Sequence, residues 1–377
     1  MGTRYGTIFL RGRRNPRLQD QVRTGTLSQA PADGSSSWGF EVVAKGVHLV
    51  RNKMRILVPN TMGTAGWKLL KTREDVEATP FPNPISTADF RAILEGCSEV
   101  DGVILGLTRF GADECARARG LKVVARIGVG YDTIDVPALS SHRIPLMVVG
   151  TANSTSVAEQ ALFLMMALAK RGAELQALVQ AGRWEERFRM LPVELAGKTV
   201  LVIGFGRIGT RTAKRCLALE MTVLSYDPYV GPEVIAAAGC EPVADLDAAL
   251  ARADFVTLHC PKTAETTGLI GAARLGRLKP TAYVVNTARG GIIDEAALEF
   301  ALTNGRLAGA GLDVFDAEPP PIDHPLLRLA NVITSPHMAG VTRESIDRMA
   351  AQAVRNVLSV LDGQPIRENV VNQHVLG

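Results

Sequence analysis

The sequence predicts an α/β fold with two doubly wound parallel sheets, one domain being inserted into the other. From Met54 onwards, short apolar runs alternate with helix-like segments, which is the rhythm of a parallel sheet with helical connections. A glycine-punctuated turn near residue 204 begins a second series of the same kind. The amphipathic segment Arg343 to Leu361 follows that series, and the first domain is the natural surface for it to cover.

The first series runs from residue 54 to residue 153. Its predicted strands are Arg55 to Val58, Gly102 to Leu105, Lys122 to Arg126 and Pro145 to Val149, with helices at Gly111 to Arg119 and Val136 to His142. The next segment, Ser156 to about Arg171, is apolar on almost every side. We expect this helix to be buried between domains or between subunits.

A glycine motif follows the predicted strand Thr199 to Ile203. Gly204 permits a tight turn, Gly206 lets the backbone approach a pyrophosphate, and Gly209 lets helix and strand pack closely. The helix behind it, Arg207 to Glu220, would present free N–H groups to the phosphates. The following strand ends in Asp227, whose carboxylate can accept hydrogen bonds from a ribose diol. This order of elements predicts a dinucleotide site; a glycine-rich turn in an ordinary α/β unit would leave Asp227 unexplained.

The remaining strands complete the second domain. They are predicted at Thr222 to Tyr226, Asp254 to Leu258, Ala282 to Asn286, Ala308 to Leu312 and Val332 to Thr334, with helices at Asp245 to Ala251 and Asp294 to Thr303. The second sheet is thus expected to have six strands. We predict a Rossmann NAD-binding domain over residues 154–337, inserted into a flavodoxin-like substrate-binding domain formed by residues 54–153 and 338–377.

Composition indicates a cytoplasmic enzyme. The five cysteines are scattered and odd in number, which argues for a reducing compartment and against a disulfide framework. No cluster of Asp, Glu, His or Cys has metal-ligand spacing, so no metal site is predicted. No apolar run has the length of a membrane helix, so no membrane partner is expected.

The net charge of +4 is concentrated at the start of the chain. Residues 1–53 carry nine Lys or Arg and three Asp or Glu, which leaves a charge of −2 for the rest and no global electrostatic case for nucleic acid. We expect residues 1–53 to be a disordered extension or an upstream-misassigned start, since Met54 opens the first predicted strand. A basic transit peptide is the alternative.

Three polar residues follow successive strands of the second domain, namely Arg289, Glu318 and His337. In open parallel sheets, ligands bind beyond the carboxyl ends of the strands, so these side chains should meet in one crevice. Arg289 can hold a substrate carboxylate and polarise its carbonyl oxygen. His337 can exchange the proton at that oxygen, and Glu318 can orient the histidine and favour its protonated form. The set suits hydride transfer between a nicotinamide and a 2-hydroxy or 2-keto acid.

These motifs resemble the D-isomer-specific 2-hydroxyacid dehydrogenases over roughly residues 54–370. The run from Leu278 to Asp294, with Asn-Thr-Ala-Arg-Gly-Gly at its centre, is similar to the family's most specific signature. The glycine motif with Tyr226-Asp227, the loop Ile127 to Asp135 and the helix start Ser156 to Glu159 also fit the family. The resemblance implies an NAD-dependent enzyme and a homodimer.

The resemblance also implies site residues. Arg289, Glu318 and His337 would be catalytic, and backbone N–H groups of Gly128 and Val129 would receive the substrate carboxylate together with Arg289. The cofactor-binding residues expected from the glycine motif, the strand ends and the resemblance are Val129, Gly204, Gly206, Arg207, Ile208, Gly209, Asp227, Cys260, Pro261, Thr287, Ala288, Arg289, Asp313, His337 and Gly340.

The substrate remains open among several 2-hydroxy acids. The chain resembles most the phosphoglycerate dehydrogenase branch, so 3-phosphoglycerate and hydroxypyruvate or glyoxylate are the named alternatives. Yet Leu107 stands where that branch places an arginine for the phosphate, with Arg109 as a possible substitute. A hypothesis of another class is an NAD-sensing binding protein, similar to the corepressors that share this fold.

Overall fold

The computed structural model describes residues 53–377. Apart from Lys53, the segment for which an extension or a misassigned start was predicted lies outside the described residues. Within them, the expected α/β fold with two parallel sheets is confirmed. No helix of this part of the chain is long and apolar enough to cross a membrane, and no three His, Cys, Asp or Glu side chains in it form a metal-binding group.

The first sheet has five parallel strands in the order β2-β1-β3-β4-β5, the flavodoxin-like order. The strands are β1 (Met54–Pro59), β2 (Val76–Phe81), β3 (Gly102–Leu105), β4 (Val123–Arg126) and β5 (Leu146–Met147). The helices are α1 (Thr64–Leu70), α2 (Thr87–Gly96), α3 (Ala112–Arg117) and α4 (Val136–Ser141). Strand β2 was not predicted, because it is an edge strand that contains Pro80 and is fully buried only at its two ends.

The second sheet has seven parallel strands in the order β8-β7-β6-β9-β10-β11-β12. They are β6 (Thr199–Ile203), β7 (Thr222–Tyr226), β8 (Glu241–Pro242), β9 (Phe255–Leu258), β10 (Tyr283–Asn286), β11 (Gly309–Leu312) and β12 (Val332–Thr334). The expected number of six strands was wrong, since the two-residue edge strand β8 is too short to give a pattern. The strand order reverses between β6 and β9, which is where a doubly wound sheet binds its ligand.

Helices cover both faces of the second sheet. They are α5 (Ser154–Lys170), α6 (Gly172–Gln180), α7 (Gly209–Ala218), α8 (Pro232–Ala237), α9 (Leu246–Arg252), α10 (Ala272–Leu275) and α11 (Glu295–Thr303). Helix α5 packs against α7 and strands β10, β11 and β12. Gly311 permits this contact, because a Cβ there would lie 2.9 Å from the Leu164 side chain.

The long helix α12 (Arg343–Leu361) returns to the first sheet and packs on α1, β3, β4 and β5. Its buried residues Met349, Ala353 and Val357 join one core with Ile56 of β1. Thr342 caps its first turn by accepting a hydrogen bond from Ser345 N at 3.1 Å. Strand β1 and helix α12, near the two ends of the described residues, therefore pack in the same core. The domain limits predicted above stay a prediction.

Candidate active site

The turn after β12 presents His337 to the cleft beyond the strand ends. His337 Nδ1 lies 2.7 Å from Glu318 Oε2, and the imidazole is about half exposed, with 46% of its side-chain surface accessible. Glu318 Oε1 accepts a hydrogen bond from Phe315 N at 3.1 Å, which fixes the carboxylate in turn. The two predicted partners are therefore brought into direct contact.

A buried carboxylate holds this turn in place. Asp313, at the end of β11, is 1% exposed and accepts hydrogen bonds from Met338 N at 2.9 Å and from Ala339 N at 2.8 Å. His337 itself has a φ of 54°, a left-handed conformation that costs a non-glycine residue energy. The hydrogen bonds from Asp313 to the two residues after His337 stabilise this conformation of the backbone. The side chain of His337 therefore stays at the cleft.

Arg289 extends from the turn after β10 and touches a loop of the other sheet. Its Nε donates to Asp132 Oδ2 at 2.9 Å and its Nη1 to the Ala288 carbonyl at 2.6 Å. Gly130 makes room for the guanidinium, since a Cβ at that position would overlap Arg289 Nη2. The planar guanidinium of Arg289 is thus held between the two sheets. Its contacts with Asp132 and Gly130 were not predicted from the sequence.

The loop after β4 forms the opposite wall. Gly128 has a φ of 152°, and its carbonyl accepts a hydrogen bond from Val149 N at 3.2 Å. Val129 follows in the same turn and is partly buried against the first core. The last residue of β4, Arg126, lies directly behind this turn and was also missed.

The glycine turn between β6 and α7 has the shape that a pyrophosphate requires. A Cβ on Gly204, whose φ is 94°, would lie 2.7 Å from the backbone of His259 and Cys260, and a Cβ on Gly209 would overlap the Gly204 carbonyl. A Cβ on Gly206 would meet nothing within 4 Å, so this backbone borders open space. Arg207 and Ile208 lead into α7, so the free N–H groups of its first turn directly follow this loop.

Asp227 directly follows β7, at the position where its carboxylate can accept hydrogen bonds from a ribose diol of the nucleotide. Its Oδ2 accepts from Phe205 N at 2.7 Å and its Oδ1 from Tyr229 N at 2.9 Å. The carboxylate is therefore fixed in orientation, and each oxygen keeps a second lone pair for a ligand. These residues fit the nucleotide predicted from the sequence.

The strand β9 ends in His259, Cys260 and Pro261. Burial lowers the pKa of His259 to about 3, so the imidazole is neutral at physiological pH, with its Nε2 3.0 Å from Thr257 Oγ1. Burial also raises the pKa of the Cys260 thiol to about 11. Neither side chain is therefore poised for acid–base chemistry, in keeping with a lining role for this strand end.

The strand end at β10 is organised by a buried amide. Asn286 Oδ1 accepts from Ala288 N at 3.0 Å and its Nδ2 donates to the Arg289 carbonyl at 2.8 Å. Thr287 Oγ1 is enclosed and has no hydrogen-bond partner among the described residues. Gly340 packs closely against the start of α5, since a Cβ there would lie 2.8 Å from Asn153 Nδ2.

Comparison with known proteins identifies the family. Residues 162–339 match the family described as D-isomer specific 2-hydroxyacid dehydrogenase, NAD binding domain. A D-3-phosphoglycerate dehydrogenase of Archaeoglobus fulgidus is 43% identical over 270 residues, which cover 72% of this chain and 51% of that protein. The chain belongs to the D-isomer-specific 2-hydroxyacid dehydrogenase family. It spans about half the length of the curated family members it matches.

Solved structures of similar proteins agree. The TT0316 protein from Thermus thermophilus is 35% identical with a TM-score of 0.75, covering 84% of this chain and all of that one. A glyoxylate reductase from Paecilomyes thermophila is 26% identical with a TM-score of 0.76, covering 86% of this chain and 99% of that one. The family and the fold expected from the sequence motifs are thereby confirmed.

Proposed function

We propose that this member of the 2-hydroxyacid dehydrogenase family transfers a hydride between the nicotinamide of NAD and C2 of a D-2-hydroxy acid or its 2-keto acid. The observation that carries the proposal is the 2.7 Å contact between His337 and Glu318, at the same strand edge that presents Arg289. The proposed proton donor His337, its partner Glu318 and the substrate anchor Arg289 thus lie in one cleft. The same cleft contains a glycine turn suited to a dinucleotide.

Each side chain has a distinct task in this reaction. NAD, held by Gly204, Gly206, Gly209 and Asp227, supplies the hydride acceptor or donor when bound. Arg289 anchors the substrate carboxylate and polarises the carbonyl oxygen through charge-assisted hydrogen bonds. His337 gives a proton to that oxygen in the direction of reduction and removes it in the direction of oxidation. Glu318 stabilises the imidazolium, and the N–H groups of Gly128 and Val129 orient the carboxylate.

Within this reaction, 3-phosphoglycerate and hydroxypyruvate or glyoxylate are the narrower candidates for the substrate. The name of the Archaeoglobus protein supports the first, and that of the Paecilomyes protein supports glyoxylate. Leu107, where the phosphoglycerate branch is expected to have an arginine, is 72% exposed, and Arg109 beside it is also exposed. These two residues therefore do not favour a phosphorylated 2-keto acid over one without phosphate.

The protein is further proposed to act as a cytoplasmic homodimer. Large apolar side chains of α5, α6 and the 3₁₀ helix Trp184–Arg189 are exposed, among them Phe163, Val179, Trp184 and Phe188. Together they form a patch of the kind that marks a protein interface. The five cysteines form no disulfide among the described residues, as is usual in a reducing compartment.

Turnover with a panel of 2-keto acids tests the proposal. Purified protein is mixed with NADH and with pyruvate, glyoxylate, hydroxypyruvate or 3-phosphohydroxypyruvate, and loss of NADH absorbance is followed. We expect kcat of at least about 1 s⁻¹ on one of them, within the usual range for enzymes. Tight NADH binding with no turnover on any acid would instead indicate a nucleotide sensor.

A further inference from the structure

Residues 313–318, the Glu318 loop, carry the carboxylate that contacts the proposed catalytic histidine. Two successive backbone N–H groups of this loop are held by carboxylates. Phe315 N donates to Glu318 Oε1 at 3.1 Å, within the loop itself. Asp316 N donates to Glu295 Oε1 at 2.8 Å, and Glu295 is the first residue of helix α11. The conformation of the Glu318 loop therefore depends on a carboxylate that lies outside it.

The second oxygen of Glu295 contacts a histidine. Glu295 Oε2 lies 3.1 Å from His324 Nε2, and this ring nitrogen must be the donor because an ionised carboxylate only accepts hydrogen bonds. Nδ1 of the same ring is enclosed and has no partner within residues 53–377. Both side chains are mostly buried, with 17% of His324 and 18% of Glu295 accessible. Water competes little for such a pair, so the contact is stronger than one at the surface.

Packing joins this pair to the Glu318 loop. The ring of His324 meets the ring of Phe315 edge to face, with centroids 5.6 Å apart and an interplanar angle of 73°. Phe315 is 6% exposed and belongs to the core of the second sheet. Gly290, which follows Arg289, packs on the same residue, since a Cβ there would overlap the Phe315 carbonyl. The Glu318 loop is thus in contact with the turn that carries the substrate anchor.

Helix α11 does not need the Glu295 carboxylate as a cap. Asp294, the preceding residue, already caps the helix by accepting a hydrogen bond from Ala297 N at 3.0 Å. The two hydrogen bonds that Glu295 accepts through its side chain come from Asp316 and His324 instead. This carboxylate therefore connects the helix to the Glu318 loop.

We propose that Glu295 and His324 are positioning residues for the acid–base pair, because together they hold the Glu318 loop so that Glu318 stays in contact with His337. The proposal rests on the proposed function for the reaction that His337 performs. A displacement of about 1 Å in a positioned group can lower a rate about 100-fold. Loosening of the loop should therefore lower kcat without changing how the cofactor or the substrate binds.

Four variants separate the hydrogen bonds of Glu295 from its charge and from packing. Glu295→Ala removes both contacts, whereas Glu295→Gln keeps an acceptor for Asp316 N and loses the charge. His324→Phe keeps a ring beside Phe315 and loses the hydrogen bond to Glu295. The control is Glu299→Ala, which removes a glutamate of the same helix that accepts no side-chain hydrogen bond from a described residue.

Steady-state reduction of the best 2-keto acid gives the expected differences. In Glu295→Ala, kcat should fall about tenfold or more, and in His324→Phe it should fall at least about threefold, because the loop is less firmly held. Glu295→Gln and the control Glu299→Ala should stay within about threefold of the wild type. KM for the keto acid and the dissociation constant of NADH should change less than about threefold in all four variants.

A double variant tests whether Glu295 acts through Glu318. In the Glu318→Gln background, adding Glu295→Ala should lower kcat by less than about threefold, since residues that act as a unit give losses that do not add. Losses that multiply in full would overturn the proposal, because Glu295 would then act independently of Glu318.

Nuclear magnetic resonance of the histidine rings provides a measurement that needs no turnover. The chain has six histidines, so in protein made with isotope-labelled histidine the ring signals of His337 can be identified by their loss in His337→Gln. Glu295→Ala should shift or broaden these signals, and Glu299→Ala should leave them unchanged. Unchanged His337 signals in a folded Glu295→Ala protein would contradict the proposal.

Thermal denaturation distinguishes a purely structural role. If Glu295→Ala melts lower but keeps the kcat of the wild type while folded, the carboxylate serves stability alone and the proposal is wrong. If Glu295→Ala does not fold, His324→Phe decides, and wild-type kcat with unchanged His337 signals in that variant would overturn the proposal. If the wild type reduces no 2-keto acid, the proposed function fails, but the His337 signals still show whether Glu295 positions the pair.

Discussion

At the scale of single residues, the pair His337 and Glu318 could be predicted because each follows a strand of the same sheet. The carboxyl ends of parallel strands lie at one edge of the sheet. Two residues that follow such strands are therefore expected to lie close together, although they are nineteen positions apart in the chain. The support of Glu318 by Phe315 N and of the turn by Asp313 depends on loop conformation, which no periodic pattern records.

Arg126, Gly130 and Asp132 were missed for a different reason. They lie at the end of β4 and in the loop that follows it, in the first sheet. The catalytic residues were predicted only from the strand ends of the second sheet. The contact between Asp132 and Arg289 joins residues 157 positions apart that belong to different sheets. The motif Ile127 to Asp135 marked this loop as part of the site, but only the packing of the two sheets shows what its side chains touch.

Glu318 is predicted to orient the imidazole of His337 for proton transfer. Its Oε2 lies 2.7 Å from His337 Nδ1, and its Oε1 accepts a hydrogen bond from Phe315 N. In Glu318→Gln the amide can still accept the hydrogen bond from Phe315 N, so the change removes the negative charge and keeps the loop contact. We expect kcat for 2-keto acid reduction to fall about tenfold or more, with NADH affinity nearly unchanged, because the acid–base group is less well positioned. A variant with the kcat of the wild type would show that Glu318 is not the partner of His337 in the reaction.

Asp227 is predicted to select NADH over NADPH. Both of its oxygens accept backbone hydrogen bonds, so the carboxylate cannot turn away from a 2′-phosphate. Like charges 4 Å apart repel by about 4 kcal/mol at an effective dielectric of 20, and about 1.4 kcal/mol already gives a tenfold preference. We expect kcat/KM for NADH to exceed that for NADPH at least about tenfold, with the preference reduced in Asp227→Asn. Equal or better turnover with NADPH would contradict this role.

At the scale of elements, every strand of the two sheets was predicted except β2 and β8. Strands β6 and β7 have the predicted limits, because buried parallel strands are continuous apolar runs. Strand β12 also has the predicted limits, although it lies at a sheet edge and is not fully buried. Strands β2 and β8 lie at sheet edges, contain a proline and are partly exposed, so their composition resembles that of loops.

Two glycines of the turn between β6 and α7 are predicted to have different roles, one in packing and NADH binding and the other in NADH binding alone. In Gly209→Ala the new Cβ would overlap the Gly204 carbonyl, so strand β6 and helix α7 must move apart. We expect a loss of about 1–3 kcal/mol in unfolding free energy together with weaker NADH binding. Gly206→Ala is the matched control, since its Cβ meets no protein atom. It should keep the stability of the wild type and lose NADH affinity, as measured by denaturation and fluorescence titration. Equal stability of the two variants would show that Gly209 is not needed for packing.

At the scale of the whole molecule, the return of α12 to the first sheet follows from its apolar face, which packs on α1, β3, β4 and β5. Met349, Ala353 and Val357 of the predicted face are buried, whereas Ile346 is 37% exposed. The sequence could not show which residues connect the two sheets across the cleft. That connection depends on single contacts such as the hydrogen bond between Asp132 and Arg289.

Assembly into a dimer is predicted from the apolar patch on α5, α6 and the 3₁₀ helix that follows. Phe188 is 71% exposed and Trp184 58%, values that are unusual for neighbouring aromatic side chains on a monomer surface. Light scattering should give twice the mass of the chain at micromolar concentration, and Phe163→Glu with Phe188→Glu should shift it towards the monomer. A wild-type protein that is monomeric at this concentration would contradict the proposed interface.

The central claim is that His337 transfers the proton while the hydride moves, and kcat of the His337→Gln variant tests it most directly. The measurement compares kcat for the best 2-keto acid with the dissociation constant of NADH, in wild type and variant. The account predicts that kcat falls about 100-fold or more, the usual scale for loss of an acid–base group, while NADH affinity stays within about threefold. A variant that keeps wild-type kcat, or that loses kcat only in proportion to NADH affinity, would contradict it.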